Sequence, residues 1–180
     1  MNLLQAFKFL DMVTEGYQED YKNYIEEHKD RVKQFADWRK ENLPELFDNI
    51  DIELFDELIR EHDDSKYSEP EFEAYAQRFY NNGEEGFEFD QAWLHHWTHN
   101  EHHPEFWLGE DMPLIYILEM ICDWGSFSIK SGDMTELSKY YYSEARDDEE
   151  KNLSDNTKII IEEILEKINS VISNTEEVED

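Results

Sequence analysis

The chain has 180 residues, 39% of them hydrophobic and 14% aromatic, which is enough large apolar side chain for one folded core and too much for a disordered polymer. Its 46 Asp and Glu stand against 16 Lys and Arg, a formal charge of -30 that excludes nonspecific nucleic-acid binding, because counterion release needs clustered cations. The single cysteine, Cys122, excludes an intramolecular disulfide and a multi-thiolate zinc site, and it fits a reducing cytoplasm.

The stretch from Met1 to Val13 has neither a basic segment nor a small-residue cleavage site, and no apolar run approaches the length of a membrane span. A cytoplasmic protein without a membrane partner is expected. From Gly16 to Glu41 the residues Tyr17, Tyr21, Tyr24, Ile25, Val32 and Phe35 recur at helical spacing, and His28 falls on that stripe. A second helix begins some way after Pro44, with Leu54, Phe55, Leu58 and Ile59 marking its apolar face as it runs into His62. Pro70 suits the first turn of a third helix, which carries Phe72, Tyr75, Ala76 and Phe79 and stops at Asn81, Asn82 and Gly83. Asp90 is placed to cap a fourth helix bearing Ala92, Trp93, His96 and Asn100, and Pro104 turns the chain just after His102 and His103.

Met112 and Pro113 open the least polar stretch, Leu114 to Phe127, which reads as the central helix with only Glu119 and Asp123 charged. A short helix around Met134 to Tyr142 follows. A long one from Asp155 to about Ser173 has the stripe Ile160, Ile161, Ile164, Leu165, Ile168 and Ile172. No strand alternation, internal repeat or glycine-rich phosphate loop appears. The expected fold is all-α, a compact helical bundle forming a single domain over 1–174, with an acidic disordered tail over 175–180.

Five of the seven histidines cluster between His95 and His103, and two, His28 and His62, sit singly on earlier apolar faces. His62 and Asp63 are adjacent, so one helix end offers an imidazole nitrogen and a carboxylate oxygen together. Glu119 and Asp123 share one face of an apolar helix, where a buried carboxylate needs a partner. That partner is either a metal ion or an arginine such as Arg31 or Arg78. If the helices bearing His28, His62 with Asp63, and Asp123 pack together, shared coordination of one divalent metal satisfies all of these groups. Ser65 and Lys66 offer a hydroxyl and a cation suited to a phosphate oxygen, or they cap the next turn. The aromatics Trp93, Trp97, Phe106, Trp107, Trp124 and Tyr140 to Tyr142 form either a stacking wall or core packing.

The order His28, then His62 with Asp63, then Asp123, each group on its own helix, resembles the H…HD…D pattern of the HD-domain metal-dependent phosphohydrolases. His96, His102 and His103 resemble the added histidine ligands of its bimetallic members. A closer similarity is to a family of uncharacterised phage and bacterial proteins known only as a domain of unknown function. Its H-D-x-S-K pattern is similar to the run His62, Asp63, Ser65, Lys66. Its A-W-x-x-H-x-x-x-N-x-H-H pattern resembles Ala92, Trp93, His96, Asn100, His102 and His103. Its M-P…E-M-x-x-D-W pattern resembles Met112, Pro113, Glu119, Met120, Asp123 and Trp124.

The superfamily resemblance implies an HD-domain-like fold in which His28, His62, Asp63 and Asp123 hold one metal. Asp63 would bridge to a second metal held by His96, His102 and His103, although no carboxylate near the histidine cluster plays an obvious ligand role. Lys66 would stabilise charge on a phosphate, while Asn100 or Glu119 would orient the ligands. The implied activity is hydrolysis of a nucleotide or another small phosphoester in a bacterial or phage-infected cell. The imidazole-rich ligand set favours Fe or Mn, with Zn, Ni, Co or Mg as other candidates. The alternative function is that of an acidic protein with a structural metal site, imitating nucleic acid towards a basic protein partner. A continuous acidic stripe away from the histidines would mark that alternative.

Overall fold

The computed structural model describes the backbone of residues 3–83 and 86–179 and the side chains of residues 16–83 and 86–174. Among these residues the chain is all-α, with no strand. Helix α1 (Leu3–Asn42) runs straight through Gly16, where the apolar pattern places its start, since one glycine costs a helix only about 1 kcal/mol. A 3-10 turn at Pro44–Phe47 leads to α2 (Ile52–Glu61), which Asp51 caps by accepting from the backbone N–H groups of Glu53 and Leu54. Helix α3 (Glu69–Tyr80) has Pro70 in its first turn, as its spacing predicts. Helix α4 (Phe87–Thr98) begins at Gly86 rather than at Asp90. Asp90 instead lies in its first turn, where a carboxylate faces the positive end of the helix dipole.

Helix α5 (Leu114–Ser131) ends at Gly132, whose φ of 75° an L side chain rarely adopts. Helix α6 (Glu136–Tyr140) passes into a π turn at Tyr141–Ala145, and α7 (Asp155–Glu179) closes the chain. The backbone is helical up to Glu179, and the side chains of the expected acidic tail lie outside the described residues. Among the described residues no helix is long and apolar enough to cross a membrane.

The chain forms two compact units. The first comprises Met1–Glu27 and Asp63–His99. In it α3 and α4 pack as a hairpin, and Tyr17, Tyr21 and Ile25 of α1 share a core with Tyr75, Ala76 and Ala92. Trp93 packs against that core. The second unit comprises His28–His62 and Asn100–Asp180. Its core gathers the α1 residues Val32, Phe35 and Ala36, Phe55 and Ile59 of α2, and Ile161, Ile164, Leu165 and Ile168 of α7 around the buried length of α5. Trp107, Trp124, Tyr140 and Tyr141 join this core, so packing accounts for most of the aromatics of the predicted stacking wall.

Gly125 lets α1 and α5 approach closely. A Cβ placed there would lie 2.5 Å from the Phe35 ring, a side chain with no exposed surface. Gly125→Ala gains roughly 1 kcal/mol of helix propensity but overpacks the core by about 1–3 kcal/mol. Urea denaturation is expected to show a net loss of up to about 2 kcal/mol. A variant as stable as the parent would mean that Phe35 yields freely.

Candidate metal centre

In the second unit three helical segments supply the polar groups. His28 lies on the apolar stripe of α1 and is 3% exposed, His62 caps the C-terminal end of α2, and Glu119 and Asp123 stand one turn apart on α5. Oε1 of Glu119 accepts from Nδ1 of His62 at 3.0 Å and from Nδ1 of His102 at 3.2 Å. Burial alone would raise the Glu119 pKa, but the hydrogen bonds and charges of His102 and His62 outweigh it and hold the group at about 2. As an ionised carboxylate it only accepts, so both rings carry a proton on Nδ1 and, when neutral, turn the Nε2 lone pair away from Glu119.

The Nε2 of His62 lies 3.7 Å from Oδ1 of Asp123, and the Nε2 of His28 lies 3.1 Å from that same oxygen. The Ser126 hydroxyl meets the other nitrogen of His28 at 3.3 Å. Asp123 is held well below the usual carboxylate range: burial would raise it, but His28 and His62 more than offset this. His62, His102 and Asp123 together offer three ligand atoms within 4.8 Å of one another. Ligand atoms about 2.1 Å from a common ion stand ~3.0–3.4 Å apart at tetrahedral or octahedral angles, so the observed separations are close to what a cation needs.

The turn after α4 presents His102 and His103. The His103 N–H donates to the Asn100 carbonyl at 3.1 Å, and the imidazole rings of His102 and His103 lie 4.4 Å apart, tilted by 40°. Nδ1 of His103 faces Oε2 of Glu105 at 3.8 Å. Asn100 thus shapes this turn through its backbone. Glu119, which the resemblance casts as orienting the ligands, accepts from His102, and Glu105, which the sequence pattern does not single out, lies beside His103.

In the first unit Asp63 opens a 3-10 turn, Asp64–Tyr67, from a left-handed backbone with φ of 60°. Such a conformation is tolerated by Asp but uncommon, and it gathers at functional sites. Asp63 is 2% exposed, with Oδ2 accepting from the Lys66 ammonium at 2.6 Å and Oδ1 lying 3.3 Å from Nε2 of His96. Nδ1 of His96 is held by Oε2 of Glu71 at 2.9 Å and meets the Ser65 hydroxyl at 3.0 Å, while that hydroxyl also donates to Glu71 at 3.0 Å. Burial pushes the His96 imidazole below its usual range in spite of Asp63 and Glu71, so the ring is neutral. With its proton on Nδ1 toward Glu71, His96 turns a lone pair toward Asp63, an arrangement that a cation between the two atoms favours.

The partners of the two α5 carboxylates differ from one of the expectations: imidazoles, rather than Arg31 or Arg78, face Glu119 and Asp123. The arginine beside α5 is Arg39, fully buried, which donates to the Leu118 carbonyl at 2.6 Å and to the Cys122 thiol at 3.0 Å. It fastens the turn of α5 that carries Glu119 and Asp123. Arg39 and Glu71 are missing from the residues that sequence reasoning selects. Arg39 follows Phe35 by four residues and Glu71 precedes Tyr75 by four, so each sits on the buried stripe of its helix, and that spacing was the available signal. The buried His and Asp groups could hold a metal ion.

Residues 17–167 match DUF5662, a family of unknown function, and the chain belongs to it. The match covers every residue from His28 to Asp123 named above. No curated protein and no solved structure matches.

Proposed function

We propose that this member of the family is a metal-dependent phosphohydrolase, HD-domain-like in its ligand set, acting on a nucleotide or another small phosphoester. The reading rests on one repeated arrangement: a buried glutamate behind Nδ1 of His62, His96 and His102, which sets the proton on that nitrogen and leaves the lone pair on Nε2, the nitrogen that a cation beside Asp63 or Asp123 would use. His28, His62, His102 and Asp123 are the ligands in one unit, and Asp63 and His96 are those in the other. The mixture of imidazole and carboxylate suits one or two ions of Fe or Mn, with Zn, Ni, Co and Mg also fitting such donors. A bound ion supplies Lewis acidity, polarising a phosphoryl oxygen and easing loss of a proton from water.

The chain's own groups then bind and orient. Lys66 brings a cation to the Asp63 carboxylate and on to a phosphate oxygen. Ser65 and Glu71 fix the tautomer of His96, and Glu119 does the same for His62 and His102. Elemental analysis of protein purified without an affinity tag tests the reading. The wild type is expected to carry Fe, Mn or Zn, and His62→Ala and Asp63→Ala are expected to lose most of it. Loaded protein is then expected to hydrolyse nucleotide or generic phosphodiester substrates. A wild type that holds no metal and takes up none of Mn, Fe or Zn sinks the proposal. Metal without activity on any phosphoester moves the function to an acidic binding protein with a structural ion.

A further inference from the structure

Tyr21 of α1 and Tyr75 of α3 lie in the core of the first unit with 1% and 5% of their surface exposed. Among the described residues neither hydroxyl has a hydrogen-bond partner. The two rings stack 6.2 Å apart, and the Tyr75 ring meets the His96 imidazole edge-on at 6.0 Å. Phe72 packs 5.4 Å from Tyr21 and Phe89 packs 5.5 Å from Tyr75, so the same cluster fills space with phenylalanine where only a ring is needed. A buried hydroxyl with nothing to bond is a cost that phenylalanine avoids at nearly the same volume. A phenol keeps its proton at neutral pH, so both remain O–H donors, and the Tyr75 ring carries the cluster up to His96, the imidazole that faces Asp63.

We propose that Tyr21 and Tyr75 are the hydroxyl donors of an oxyanion site beside Asp63 and His96, and that the ligand they take is a phosphoryl oxygen. The inference rests on the phosphohydrolase reading and supplies its substrate contacts. Lys66 at Asp63, and the Ser65, His95 and His96 donors at Glu71, offset the two carboxylates that would otherwise repel an anion. A cation at Asp63 and His96 completes the balance, so anion binding is expected only with metal present.

The test uses the full chain loaded with Mn2+ and inorganic phosphate as the probe. Titration calorimetry on the wild type, Tyr21→Phe and Tyr75→Phe is expected to show phosphate affinity falling about tenfold for each lost donor. Thermal stability without phosphate should be no lower in the variants, because a hydroxyl lacking a partner is removed. In wild-type protein labelled at tyrosine Cζ, two carbon resonances are expected to shift when phosphate is added, a readout that needs no variant. Phosphate binding that the substitutions leave unchanged, or tyrosine resonances that do not move, assigns the hydroxyls to internal water or packing and overturns this inference alone. A metal-loaded wild type that binds no phosphate overturns the phosphohydrolase reading, and this inference with it.

Discussion

Replacing Glu119 with glutamine should lower metal affinity by about 10–100-fold without substituting any proposed ligand residue. The reason is proton placement. In the native chain one ionised carboxylate accepts from Nδ1 of both His62 and His102, at 3.0 and 3.2 Å. Glutamine offers one oxygen and one NH2 group, so it can accept from one ring and must donate to the other. The ring that receives the donor shifts its proton to Nε2, the nitrogen that would face the proposed ion. One of the two imidazoles is thereby lost as a ligand, although its position is unchanged. Competition against a colour-changing chelator gives the affinity, and nitrogen NMR of the histidine rings gives the tautomers. The expected loss corresponds to roughly 1.4–2.7 kcal/mol of binding. Glu119→Ala should cost more, because two buried N–H donors would then face a cavity. If Glu119→Gln binds metal as tightly as the parent with both rings in their native tautomer, the nitrogens do not coordinate and the glutamate is only a packing partner.

How much of this was legible in the sequence depends on the range of each contact. Helical periodicity is local, so the stripes of α1 and α5 placed His28, Glu119 and Asp123 on inward faces before any tertiary information. The adjacency of His62 and Asp63 was equally plain, but the left-handed turn at Asp63 was not, since Asp tolerates many conformations. Glu71 was hidden by its neighbours: Glu69 and Glu73 flank it, and in a chain with 46 acidic residues a carboxylate carries almost no signal. Only its partners, His95 and His96, 24 and 25 residues away, reveal its role. Arg39 was hidden in a different way, because it and Lys40 stand in the last turn of a long helix, where cations read as favourable to the helix dipole. Its contacts with Leu118 and Cys122 cross 79 and 83 residues of chain. The histidine cluster pointed to metal and the resemblance already gave Glu119 an orienting role, whereas the glutamate that holds His96 became visible only once the chain had folded.

Glu71 separates folding from binding in the first unit. Its side chain is fully buried and accepts from His95 Nδ1 at 2.6 Å, His96 Nδ1 at 2.9 Å and Ser65 Oγ at 3.0 Å. Burial alone would raise its pKa, but the hydrogen bonds donated by His96, His95 and Ser65 outweigh it and hold the group below its ordinary value. Its stabilising contribution is therefore complete above the unfolded carboxyl range of about 4.3 and is lost as pH falls through the lower folded value. Glu71→Ala leaves the donors of His96 and Ser65 without their acceptor and opens a cavity, and denaturation at pH 7 is expected to show a loss of about 3–5 kcal/mol. Glu71→Gln should fold far better, because its amide can donate to Nδ1 of His96. That choice moves the imidazole proton to Nε2, which then donates to Oδ1 of Asp63 across the present 3.3 Å. The Asp63 and His96 pair becomes an ordinary hydrogen bond and closes to a cation. Near-native stability with metal binding lost from this pair is the expected signature, together with a weaker acid dependence of unfolding. A glutamine variant that keeps full metal affinity would show that Glu71 serves the fold alone.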